Sequence, residues 1–168
     1  LADTGSIAVV GSFATHPRYQ GAGSSQVNPT RVDRALDELR ARVGGDATVT
    51  FAEGYDPRTG VASPEQLAEA IRVAGAADVV VFFGGLPAAW ESEGFDRTTL
   101  DLPADHVRLI EAVAATSTPV VVVLSNGGVI HMPWADRVDA VLESWLGGQA
   151  GAGATVDVKL AGSKSRPK

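Results

Sequence analysis

The sequence predicts an α/β fold, a three-layer sandwich around a mostly parallel, doubly wound sheet of about six strands. Three observations carry that reading. Short apolar runs at 7–11, 48–51, 78–84, 119–124 and 140–143 alternate with stretches at helical spacing. The runs through Val79-Val80-Val81-Phe82-Phe83 and Val120-Val121-Val122-Val123-Leu124 are apolar without alternation, as central strands covered on both faces are. Polar, Gly-containing loops follow the strands, and right-handed crossovers gather such loops on one edge of the sheet.

The elements follow in order. Ile7-Ala8-Val9-Val10-Gly11 is a buried strand ending in a Gly turn, and a long polar loop containing Gly21-Ala22-Gly23-Ser24-Ser25 runs from Ser12 to Pro29. Asn28-Pro29-Thr30 is expected to start a helix carrying Val32, Leu36, Leu39 and Val43 on its apolar face, with Gly44-Gly45 as its stop. Thr48 to Phe51 is a strand. Ser63-Pro64-Glu65-Gln66 is a capping box that opens a helix facing inward through Leu67, Ile71 and Ala74. The strand 78–84 empties into the loop that starts at Trp90. A helix over 103–114, inward through Val107, Ile110 and Val113, leads to the strand 119–124 and Ser125-Asn126-Gly127-Gly128. Met132-Pro133-Trp134 reads as a turn, 140–143 as a short strand, and 149–158 as the start of a last helix. The alternation is that of a flavodoxin-like sheet.

With 168 residues there is length for one domain with a real core, assigned to 1–158, and a basic tail, 159–168, read as disordered or foreign to the domain. A net charge of −6 argues against a nucleic-acid partner, which calls for a basic patch. The absence of cysteine rules out a disulfide framework and a thiolate metal site. No apolar run approaches the ~18 residues of a membrane-spanning helix, so no membrane contact is expected. The first residues lack the basic-then-apolar order of a signal peptide, which leaves the compartment open.

Several familiar chemistries fail on detail. The run at Gly21 is followed by no Gly-Lys-Ser/Thr, and the third glycine of a dinucleotide fingerprint would fall on Gln26. A phosphate-receiving regulator needs carboxylates where Gly11-Ser12 and Gly84-Gly85 stand. No Gly-x-Ser-x-Gly elbow exists. His16, His106 and His131 lie far apart without metal-ligand spacing, so neither a metal nor a cofactor is called for.

The loop Trp90-Glu91-Ser92-Glu93-Gly94-Phe95-Asp96-Arg97 is different. Taken alone it reads as a solvated acidic turn with an Asp–Arg pair. Its place directly after the most apolar strand, with Trp90 and Phe95 beside the carboxyls, gives it a sharper reading. Aromatic neighbours can desolvate a carboxyl and raise its pKa, the tuning a general acid needs near neutral pH.

This loop, with Leu100, Leu102-Pro103 and Leu109-Ile110 after it, resembles the signature of the C-terminal α/β-sandwich domain of family 3 glycoside hydrolases. Other segments agree in order. Ile7 to Gly11 resembles that domain's opening strand, and Gly21-Ala22-Gly23-Ser24-Ser25 its Gly-Gly-Gly-Ser loop with one Gly replaced by Ala. Pro119 to Gly127 resembles its Pro-Val-Val-Val-Val-Leu-x-x-Gly strand. Ala140 to Trp145, with Gly147-Gly148-Gln149 and Gly151, resembles its Ala-Ile-Leu-x-x-Trp-x-x-Gly-x-x-Gly segment. The likeness covers residues 7–158.

The resemblance implies a retaining exo-β-glycosidase, most often a β-glucosidase, acting on a β-glucoside or oligosaccharide. In that family an N-terminal (β/α)8 barrel supplies an aspartate nucleophile and the sandwich supplies the general acid/base. The family's Glu-Gly-aromatic run maps the acid/base onto Glu93 and not Glu91. Trp90, Phe95 and Ser24 become candidate substrate contacts, and Asp96 and Arg97 loop supports. The barrel is missing from these residues, and the tail departs from the family's continuation. A fragment or separately made domain, inactive alone, is therefore expected. The rival readings are a non-catalytic carbohydrate-binding or scaffold domain of the same fold, and an unrelated nucleotide-binding domain.

Overall fold

The computed structural model describes residues 4–94 and 96–161, with side chains as far as residue 158. Five strands, β1 (Ser6–Val10), β2 (Thr48–Ala52), β3 (Val79–Gly85), β4 (Val120–Ser125) and β5 (Ala140–Glu143), form one sheet in the order β2-β1-β3-β4-β5. Every pairing is parallel. The count is one below the approximately six expected. After β5 the chain turns at Trp145 (φ 52°) and enters a helix, so no further strand pairs beyond β5 among the described residues.

Four helices cover the sheet: α1 (Ala35–Val43), α2 (Pro64–Gly75), α3 (Ala104–Ala114) and α4 (Gly151–Ala161). The helix α1 packs on α4, and α2 on α3, so each face of the sheet carries one pair. Strand β3 is buried at all seven positions because it is central and has a helix layer on both sides, which is why its sequence does not alternate. At about 25 cal/mol per Å² of apolar surface, these covered valines and phenylalanines supply the main driving force for closing the sandwich.

Local chemistry sets the helix starts, and in one case overrides the expected one. The box at α2 forms in full: Ser63 Oγ accepts from the Gln66 N–H at 3.2 Å and Gln66 Oε1 accepts from the Ser63 N–H at 2.9 Å. The helix expected from Asn28-Pro29-Thr30 instead begins at Ala35. Arg34 is extended (φ −112°, ψ 129°), and the Asp33 N–H donates to Gln149 O at 2.9 Å. That bond fixes the approach to α1 as extended chain along the loop after β5.

Two helix faces are also shifted. On α2 the buried residues are Ala70, Val73 and Ala74, while Ile71 is exposed and Leu67 half-buried. Small alanines let this helix lie close to the sheet, and Thr118 Oγ1 donates to Ala74 O at 3.0 Å. On α3 the inward set is His106, Leu109, Ile110 and Val113. Trp134, in the segment expected as a turn, is fully buried.

His106 sits in an aromatic nest, its ring centroid 3.8 Å from that of Tyr55 and near Phe13 and Phe82. Its Nδ1 accepts from the Gly85 N–H at 3.5 Å, and Nε2 has no partner among the described residues. Burial lowers its pKa from 6.5 to about 3, against smaller opposing effects of the Gly85 N–H and Asp105. The unfolded chain therefore binds a proton between pH 6.5 and 3 that the folded chain refuses, and stability falls as pH drops through that window. From these values His106 alone is expected to cost about 2 kcal/mol at pH 5 relative to pH 7.5. Urea unfolding at the two pH values, in wild type and His106→Phe, checks this: the variant should lose most of the difference.

Candidate active site

Because all strands run the same way, the loops after β1, β3, β4 and β5 meet on the carboxyl edge of the sheet, as the crossover argument requires. The loop after β3 is held there by three ties. Arg18, from the loop after β1, donates through Nε to Leu86 O at 3.2 Å and through Nη2 to Glu91 O at 3.4 Å. Glu91 turns both carboxylate oxygens to the Gly127 N–H after β4, at 3.0 and 2.8 Å, with Arg18 Nη2 3.9 Å away. Arg97 Nη2 donates to Val129 O at 2.6 Å and closes the distal end.

Between these ties stands Glu93. Its side chain is exposed, and Oε2 accepts from both the Ser24 N–H (2.8 Å) and the Ser24 hydroxyl (2.5 Å). The two loops meet this closely because residue 23 has no side chain: a Cβ there would lie 2.7 Å from the Glu93 Cβ. The Ser24 hydroxyl, then its N–H, lowers the Glu93 pKa below the ordinary glutamate value. Oε1 makes no hydrogen bond among the described residues. Beside the loop lies an open hollow of about 360 Å³ lined by Arg18, Gly21, Ala22, Glu91 to Glu93, Asp96, Arg97, Gly127, Gly128 and Leu146. Behind it, Glu143 accepts from the Trp145 N–H at 2.9 Å and from Asn126 Nδ2 at 3.3 Å, and burial raises its pKa.

The sequence matches the profile of the glycosyl hydrolase family 3 C-terminal domain over residues 1–165. This chain belongs to that family. It is 46% identical over 158 residues to thermostable beta-glucosidase B of Acetivibrio thermocellus, covering 94% of this chain and 21% of that protein. It is 51% identical over 153 residues to an exo-alpha-(1->6)-L-arabinopyranosidase of Bifidobacterium longum, covering 90% and 20%. Among solved structures, a GH3 beta-glucosidase of Bifidobacterium adolescentis superposes with a TM-score of 0.87 at 49% identity, over 96% of this chain and 23% of that one. The chain thus spans about a fifth of the length of the relatives it matches.

The family 3 domain brings Glu93, Ser24 and Arg97 together on one edge, while Phe95 lies outside the described residues. Trp90 is half-buried and packs against the hydrophobic core, so it anchors the loop as well as bordering it. The expected raising of a carboxyl pKa by aromatic neighbours does not occur at Glu93. The side chain is exposed, and Ser24 stabilises the ionised form. No Asp96–Arg97 ion pair forms among the described residues. Arg97 supports the loop through a backbone carbonyl instead, and Asp96 is exposed. Sequence reasoning missed Arg18 and Gly127, whose partners lie 68 to 73 and 36 positions away, separations that no local pattern encodes.

Proposed function

We propose that this chain is the acid/base-bearing domain of a retaining exo-acting β-glycosidase, with Glu93 as the proton-transfer group and a β-glucoside as substrate. The carrying observation is the contrast between neighbouring glutamates. Glu91 spends both oxygens on the Gly127 N–H, whereas Glu93 stands exposed at the loop edge with Oε1 open. In such a mechanism Glu93 protonates the leaving oxygen, then takes a proton from the water that releases the sugar from a second, nucleophilic carboxylate. That nucleophile is assigned to an aspartate of a (β/α)8 barrel, in the parent chain or a partner chain. Support for a partner domain comes from the relatives, of which this chain spans about a fifth.

In this reading the Ser24 O–H donates its hydrogen bond to Glu93, and its oxygen lone pairs are kept for a sugar hydroxyl. Trp90 and Phe95 border the sugar or the group it leaves. A second substrate reading, an α-L-arabinopyranoside, is favoured by one observation: relatives with that printed activity are 51% identical over 153 residues.

The isolated chain is expected to hydrolyse nothing, since a retaining pair needs two carboxyls ~5–5.5 Å apart. Aryl β-glucoside and aryl α-L-arabinopyranoside assays of the purified chain, and of the full-length enzyme that contains it, check both points. Turnover should appear only in the longer protein, and the preferred aryl glycoside decides between the substrates. Turnover by the 168-residue chain alone would remove the need for the barrel.

A further inference from the structure

Ser24 does two things to Glu93 at once. Its N–H and its hydroxyl both point at Oε2, at 2.8 and 2.5 Å, from a short turn that only a glycine at position 23 allows to come so near. Two donors on one carboxylate oxygen leave the two oxygens unequal. A proton on Oε2 would face donors it cannot satisfy, so the protonated form places its proton on Oε1. We infer that Ser24 is a positioning residue which anchors Glu93 through Oε2 and thereby dedicates Oε1 to proton transfer. This rests on the acid/base reading of Glu93 and adds to it which oxygen carries the proton and what holds the other.

The steps balance with the nucleophilic carboxylate already assigned to the barrel. In the first step the O–H bond at Oε1 breaks as the proton passes to the leaving oxygen, the glycosidic C–O bond breaks, and the anomeric carbon bonds to that nucleophile. The Glu93 carboxylate so formed keeps its charge on the oxygen that Ser24 solvates. In the second step Oε1 removes a proton from water as the water oxygen bonds to the anomeric carbon, the nucleophile leaves, and the acid is restored. Ser24 neither gains nor loses a proton in the cycle. By stabilising the ionised carboxylate it favours the base half and sets the pH above which the acid half fails. The lowered pKa of Glu93 has this origin, the hydroxyl first and the N–H second.

The test has two arms. In the 168-residue chain the Glu93 carboxyl is titrated by NMR, in wild type, Ser24→Ala and Ser24→Thr. Ser24 is exposed, so these variants keep the fold, which the amide spectrum verifies. The Glu93 midpoint should move up in Ser24→Ala and return towards wild type in Ser24→Thr, which restores the hydroxyl. Gly23→Ala, whose Cβ would push against the Glu93 Cβ, should raise it independently. In the full-length enzyme Ser24→Ala should shift the alkaline limb of the pH–rate profile upward. It should also lower kcat roughly tenfold, a part of the roughly 10²–10⁴-fold that general acid–base catalysis supplies. A midpoint unmoved in Ser24→Ala, or a Ser24→Thr no different from alanine, overturns the inference. Loss of azide rescue in Glu93→Ala would instead sink the acid/base reading, so the two failures are told apart.

Discussion

Glu93→Ala in the full-length enzyme is expected to lower kcat/KM for an aryl glycoside with a poor leaving group by roughly 10²–10⁴-fold, the range general acid–base catalysis contributes. With an activated leaving group the first step needs little protonation. The glycosyl-enzyme then waits on its missing base, and added azide, which needs no deprotonation, should restore turnover and leave a glycosyl azide. Glu91→Ala makes the contrast. It leaves the exposed Gly127 N–H to water and removes a charge 3.9 Å from Arg18, which keeps its bonds to Leu86 O and the Glu91 backbone O, and so loosens the loop at a cost of about 0.5–1.5 kcal/mol. Its activity loss should be smaller and unaffected by azide. If Glu91→Ala showed azide rescue and Glu93→Ala did not, the assignment would have to move to Glu91.

The different fates of these two glutamates also show where the sequence stops speaking. The strand β3 is legible from five apolar residues in a row because burial on both faces leaves no other pattern. The α2 start is legible because a capping box is closed within four residues. The start of α1 was misplaced since Asn28-Pro29-Thr30 carries a local start signal, while the Asp33–Gln149 bond that wins over it spans the chain. The site behaves likewise. The motif singles out Glu93 as a candidate, but the direction of its pKa shift depends on Ser24, 69 positions away. Local chemistry predicts elements. The electrostatics of a loop edge depends on which other loops the sheet delivers there.

The carboxyl edge itself depends on one close approach, and Gly11→Ala is expected to disrupt it. Gly11 follows β1 with φ 111°, and its N–H donates to Ala52 O at 3.0 Å. A Cβ at this position would fall 2.0 Å from Phe83 O and 3.0 Å from the Phe83 carbonyl carbon. Neither atom can swing aside. Phe83 belongs to the buried central strand, and its oxygen also accepts the Tyr55 hydroxyl at 2.8 Å. The backbone of β1 must therefore move away from β3, opening the pairing of Val9 with Val81 and Val10 with Phe82. The disturbance falls where the loop bearing Arg18, Gly23 and Ser24 leaves the sheet. Overlap with fixed backbone added to left-handed strain places the cost above about 4 kcal/mol, the rare end of single substitutions. For a domain of this size that corresponds to a fall in Tm of roughly 8–16 °C. Gly44→Ala provides the control, having φ 55° but no atom within 4 Å of the added Cβ. Strain alone, at φ 55° and ψ −124°, should cost it about 1–3 kcal/mol. Calorimetry of the two variants separates the terms: equal losses would mean that strain dominates and that the β1–β3 approach is softer than its geometry implies.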